Sequence, residues 1–131
     1  MEGSMVDTER VDLEGKRLLI VEDEYLIAMD LSHFLEKLGA KIVGPAGSIE
    51  DALKLVESHD ALDAAILDIN LRGGRVFPVA DALANRGVPF VFTTGYDAFT
   101  VPDIYEDVPR CEKPIDENLL ATLVARLGSE R

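Results

Sequence analysis

Apolar residues along this chain follow two alternating rhythms: short unbroken runs, and longer stretches in which they recur every three or four positions. The runs are Arg17-Leu-Leu-Ile-Val21, Ala64-Ala-Ile-Leu67 and Pro89-Phe-Val-Phe-Thr93. Each is too short for a core helix and lacks polar alternation, so each reads as a strand covered on both faces. Lys41-Ile-Val-Gly44, halted by Pro45, and Val108-Pro-Arg-Cys111 are weaker strands. Helical spacing links Ile27, Leu31, Phe34, Leu35 and Leu38, with Gly39 at the C-cap position. It returns at Ile49, Ala52, Leu53 and Val56 behind an N-cap pattern of Ser48 and Asp51, and at Val76, Val79, Ala80 and Leu83, where Pro78 suits only a first turn and Gly87 ends the helix. Leu119, Leu120, Leu123, Val124 and Leu127 close the pattern. Residues 69–75 form a loop containing Gly73-Gly74. Residues 97–108 break the rhythm: proline, β-branched and Asp content favours at most a short helix starting at Pro102, in a segment of low local stability.

Strands alternating with helices through short links predict an α/β fold with a doubly wound parallel sheet. Proline is tolerated at sheet edges, so Pro45 and Pro109 place the second and fifth strands outermost and give the order 2-1-3-4-5. Strand order then reverses between the first and third strands, and the carboxyl ends of strands at such a point face a ligand crevice. Those ends carry Glu22-Asp23 and Asp68, with Thr94 and Lys113 on the neighbouring strands. Three carboxylates converging within about 4–6 Å repel by several kcal/mol, so they require a cation or a raised pKa. All-oxygen ligation suits Mg²⁺. Lys113 adds a compact positive charge and Thr94 a hydroxyl donor. Singly, each residue has an ordinary reading as a cap, a strand residue or a surface cation; together at one sheet edge they describe a carboxylate that accepts a phosphoryl group.

Composition narrows the partners. The 131 residues fit one domain, and 13 basic against 25 acidic residues leave a net charge of −12, which disfavours nucleic acid and anionic membranes. A single cysteine, Cys111, with no signal peptide or long apolar run, points to a reducing cytoplasm. Met1-Glu-Gly-Ser-Met5 reads as an expression remnant ahead of a natural start at Met5, within a tail over residues 1–13 expected to be disordered; the folded domain is expected over residues 14–131. His33 and His59 show no catalytic spacing, and no glycine-rich phosphate loop follows the first strand.

Leu-Leu-Ile-Val-Glu-Asp-Glu, Ala-Ile-Leu-Asp-Ile-Asn-Leu, Thr-Thr-Gly and Glu-Lys-Pro resemble the receiver domain of two-component response regulators, over nearly the whole chain from Arg17 to Leu127. The resemblance implies a flavodoxin-like fold with a short or mobile fourth helix. It further implies that Asp68 is the phosphoacceptor, that Glu22, Asp23, Asp68 and the backbone carbonyl of Asn70 surround Mg²⁺, and that Thr94 and Lys113 hold the phosphoryl oxygens. The donor would be a histidine kinase or a histidine phosphotransfer protein, and the output an unidentified protein partner or use as a phosphate sink. No enzymatic activity is implied beyond self-phosphorylation and autodephosphorylation. Two departures stand out. Arg110 occupies the position, three before the lysine, where receivers usually carry an aromatic switch residue. The run Phe92-Thr-Thr-Gly-Tyr96 is similar to a variant group of alphaproteobacterial receivers with a Phe-x-Thr-Gly-Tyr signature, found alone or attached to other modules. Nothing after the last helix encodes an output module, so a stand-alone role is expected.

Two alternatives differ in chemistry. A phosphatase of the haloacid-dehalogenase type wants a second acid two residues after its nucleophile, where this chain has Asn70. A phosphorylation-independent interaction module would not need the full set of acids, hydroxyl and lysine.

Overall fold

A computed structural model describes residues 11–95 and 101–129. Strand β1 (Arg17–Val21) leads into helix α1 (Tyr25–Lys37), then β2 (Lys41–Ala46), α2 (Ile49–Ser58) and β3 (Ala64–Asp68). A two-residue ladder follows, β4 (Asn70–Leu71) with β5 (Gly74–Arg75), before α3 (Phe77–Asn85) and β6 (Phe90–Thr94). A single 3-10 turn (Asp103–Tyr105), β7 (Arg110–Glu112) and α4 (Glu117–Ser129) complete the chain.

The main sheet has five parallel strands in the order β2-β1-β3-β6-β7, which is the predicted arrangement once the small β4–β5 hairpin is counted separately. Alternation along the strands divides the core into two layers. Leu19, Val21, Leu67 and Phe92 face the side covered by α2 and α3, whereas Leu18, Ile20, Ile66 and Val91 face the side of α1 and α4, through Leu31, Leu35, Leu120 and Val124. Strand β3 is buried along its whole length, which is why its sequence shows no polar alternation.

Caps form as the sequence predicts. The Ser48 hydroxyl accepts the Asp51 N–H at 3.1 Å, and Gly39 adopts φ +102° after α1, where an added Cβ would lie 2.7 Å from the Glu14 Cα.

Several expectations change. Pro45 does not halt β2: the strand continues to Ala46 through a bulge, in which Leu19 pairs with Val43 and Val21 with Ala46. Leu13, left in the tail by the sequence reading, is fully buried, and its N–H donates to the Leu38 carbonyl at 2.9 Å; residues 1–10 lie outside the described residues. The loop over residues 69–75 is a hairpin. The segment before β7 is better anchored than its composition suggests: Val101, Tyr105 and Val108 all pack on the core, with Tyr105 only 5% exposed. Residues 96–100 lie outside the described residues.

Candidate functional site

Strands β1 and β3, neighbours in the sheet, deliver their acids to one edge because each ends where its buried run ends. Glu22 follows β1 and is 4% exposed, Asp23 is half-buried, and Asp68 closes β3 at 3% exposure. Carboxylate oxygens of all three lie within 4.8 Å of one another. Lys113, just past β7, brings its Nζ to 3.2 Å from Asp68 Oδ2 and 3.1 Å from Glu22 Oε1. Its position is fixed by its own N–H, which donates to the Thr94 carbonyl at 2.8 Å and pins the end of β7 to the end of β6. Asp23, Asp68, Asn70, Thr94 and Lys113 line one open cavity, so every site residue predicted there from sequence comes together, with buried Glu22 completing the acidic cluster. Neither histidine joins them: His33 is exposed on α1, and His59 Nδ1 lies 3.0 Å from the Leu55 carbonyl oxygen.

Charge balance decides the protonation. One lysine faces three carboxylates. Burial, then the neighbouring charge of Glu22, pushes Asp68 up to about 7 against the pull of Lys113. Lys113 loses solvation on burial, but the Asp68 and Glu22 carboxylates outweigh that loss and raise its pKa. The sign for stability follows. Between about pH 4 and 7 the folded Asp68 keeps a proton that the unfolded chain has lost, so its contribution is fully present below pH 4 and is lost as pH rises through 7. Asp68→Asn is therefore expected to melt higher than the parent in metal-free buffer at pH 8, by a few kcal/mol at about 1.4 kcal/mol per pKa unit, with the gap shrinking toward pH 4. Thermal melts of both proteins across that range check it; a gap that does not depend on pH would contradict it.

The donor set fits a hard divalent cation: three carboxylates supply only oxygen, and a cavity open to water leaves room for the water ligands that Mg²⁺ retains. Asp23 and Asp68 each have Oδ2 engaged, by the Arg72 N–H at 3.0 Å and by Lys113 respectively, and a carboxylate has further acceptor capacity.

Sequence reasoning missed two contributors. Arg72 acts through its backbone, and Glu24 donates its N–H to Glu22 Oε2 at 3.0 Å. The adjacent glycines 73 and 74 were the available signal for the first; the second leaves no pattern in the sequence. Tyr105, in the segment of low expected stability, donates its hydroxyl to Asp81 on α3 and packs its ring on Phe92 at 6.1 Å, two residues before Thr94.

Comparison with known proteins bears on the fold and the family. The response regulator receiver domain profile matches residues 18–109, ending before Lys113. PdtaR, a transcriptional regulatory protein of Mycobacterium tuberculosis, is 37% identical over 92 residues, covering 70% of this chain and 43% of its own length. The chain thus spans less than half the length of the curated relatives it matches. Among solved structures, SdrG from Sphingomonas melonis shares 46% identity at a TM-score of 0.76 over 86% of this chain and 96% of its own. PhyR from Brucella abortus, a response regulator, shares 26% identity at a TM-score of 0.79 over 97% of this chain and 53% of its own. Fold, matched profile and relatives agree: this chain belongs to the response regulator receiver domain family.

Proposed function

We propose that the protein is a receiver that takes a phosphoryl group onto Asp68 from a histidine kinase or histidine phosphotransfer protein, and signals through a protein partner or serves as a phosphate sink. The observation that carries this reading is a lysine ammonium shared by the Asp68 and Glu22 carboxylates at the end of a fully buried central strand. An Asp68 oxygen attacks phosphorus as the bond to the donor nitrogen breaks, and the imidazole leaves with its electron pair. Attack requires the ionised carboxylate, and the pKa of about 7 makes that form available near neutrality. Lys113 then exchanges its Asp68 contact for the new phosphoryl oxygens, and Thr94, 4% exposed in the same cavity, supplies a hydroxyl to them. Mg²⁺ held by Asp23, Asp68, Glu22 and the Asn70 carbonyl would offset the charge on those oxygens.

Incubation with acetyl phosphate and Mg²⁺, followed by intact-mass measurement, tests the reading. The parent is expected to gain one phosphoryl group and Asp68→Ala none. Steady hydrolysis of phosphate esters without a trapped adduct would favour a phosphatase, and no adduct with any donor a bare interaction module.

A further inference from the structure

We infer that the β4–β5 hairpin is a positioning element for the acidic cluster, acting through the Arg72 N–H on Asp23 rather than through any side chain. The inference rests on the reading of that cluster as a Mg²⁺ site. Asp23 follows β1, and 49 residues separate it from Arg72, whose N–H meets Asp23 Oδ2 at 3.0 Å. The donor sits at the tip of a ladder that pairs Asn70 with Arg75 and Leu71 with Gly74. Its base is tied to the sheet: the Val76 N–H donates to the Ile69 carbonyl at 2.9 Å, and Leu71 is buried in the core. Asn70, which lines the cavity, opens the same ladder two residues after Asp68. One rigid unit therefore fixes Asp68, Asn70 and the orientation of Asp23 relative to one another. A carboxylate held through one oxygen presents the other in a defined direction, which a freely rotating Asp23 would not.

The turn geometry suits this use. Gly73 has φ +90°, the value of the second central residue of a type II turn, which makes Arg72 the first. Proline is favoured at that first position and lacks an N–H. Leu71 before it is extended, as a residue preceding proline prefers. Arg72→Pro thus keeps the turn and deletes both the side chain and the donor, whereas Arg72→Ala deletes the side chain alone, so the difference between the two variants reports the donor.

Calorimetric titration of the full chain with Mg²⁺ separates the two. Arg72→Pro is expected to bind about 10- to 100-fold more weakly than the parent, the usual effect of losing a partner that orients a metal ligand, and Arg72→Ala as tightly as the parent. Melting of the metal-free proteins checks that the proline variant is folded. Should it not be, Gly73→Val against Gly73→Asn replaces it: a Cβ at Gly73 meets nothing within 4 Å, so the two differ only in tolerance of left-handed backbone, and only Val should weaken binding. Equal Mg²⁺ affinity in parent and Arg72→Pro overturns the inference and leaves the metal site standing, as does equal weakening in Arg72→Ala. A parent that binds no Mg²⁺ overturns both.

Discussion

Millimolar Mg²⁺ is expected to raise the melting temperature of the parent and to leave Asp23→Ala nearly unmoved. A ligand that binds only the folded state at about 100 times its Kd adds about 2.7 kcal/mol, which for a domain of this size is roughly 10 °C. The effect should be large because the cation replaces a repulsion as well as adding contacts: among the described residues, the three carboxylates within 4.8 Å share one ammonium, that of Lys113, joined below about pH 7 by a proton on Asp68. Asp23 is the right residue to remove, since Glu22 and Asp68 both hold Lys113, whereas Asp23 meets a backbone N–H and faces the open cavity. The gain should also shrink below pH 7, where the proton on Asp68 competes with the cation. Differential scanning calorimetry with and without Mg²⁺ measures all three. An Asp23→Ala protein that responds like the parent would mean that the cation sits elsewhere.

Tyr105→Ala is expected to cost about 3–5 kcal/mol, the range for deleting a buried aromatic side chain, and Tyr105→Phe about 1 kcal/mol or less. The ring is 5% exposed and meets Phe77, Phe90 and Phe92 at 6.3, 5.6 and 6.1 Å. Its hydroxyl ends on Asp81, and burial followed by that carboxylate raises the phenol to about 12. Asp81 is exposed on α3 and can turn to water when the hydroxyl is lost, which keeps the phenylalanine variant close to the parent. Arg110 is exposed at the position usually aromatic in receivers, whereas the buried Tyr105 ring packs on β6 through Phe92, two residues before Thr94. Denaturant unfolding gives both costs. Amide exchange over residues 101–110 should then show Tyr105→Ala unprotected before phosphorylation, and the parent changing when a beryllofluoride phosphoryl analogue is added. Unchanged exchange in both would place the response on another face.

The strands and the acid cluster were legible in the sequence because both follow from simple periodicities. A parallel sheet covered on both faces writes its strands as unbroken apolar runs, and the residue ending each run is the residue at the sheet edge. That is enough to bring Glu22, Asp23 and Asp68 together without coordinates. Thr94 followed from the same logic at the end of the third apolar run, and Lys113 after the weaker strand over residues 108–111. What stayed hidden depends on backbone groups or on contacts remote in sequence. The Arg72 N–H carries no residue signature, since any residue but proline could supply it. The bulge at Pro45 reflects the freedom of an edge strand, which composition read as a stop. Tyr105 sits between Ile104, 79% exposed, and Glu106 on a single turn, so its neighbours gave no apolar pattern; its burial is decided by Phe77, Phe90 and Phe92 from elsewhere in the chain.

The most direct test of the central claim is to locate the phosphoryl group itself. The protein is treated with acetyl phosphate and Mg²⁺, the acyl phosphate is reduced with borohydride, which converts a phosphorylated aspartate to homoserine, and the peptides are sequenced by mass spectrometry. Homoserine at position 68 alone, absent when Mg²⁺ is chelated, is the predicted result. Homoserine at Asp23 or another carboxylate, or full labelling of an Asp68→Ala protein, would contradict it.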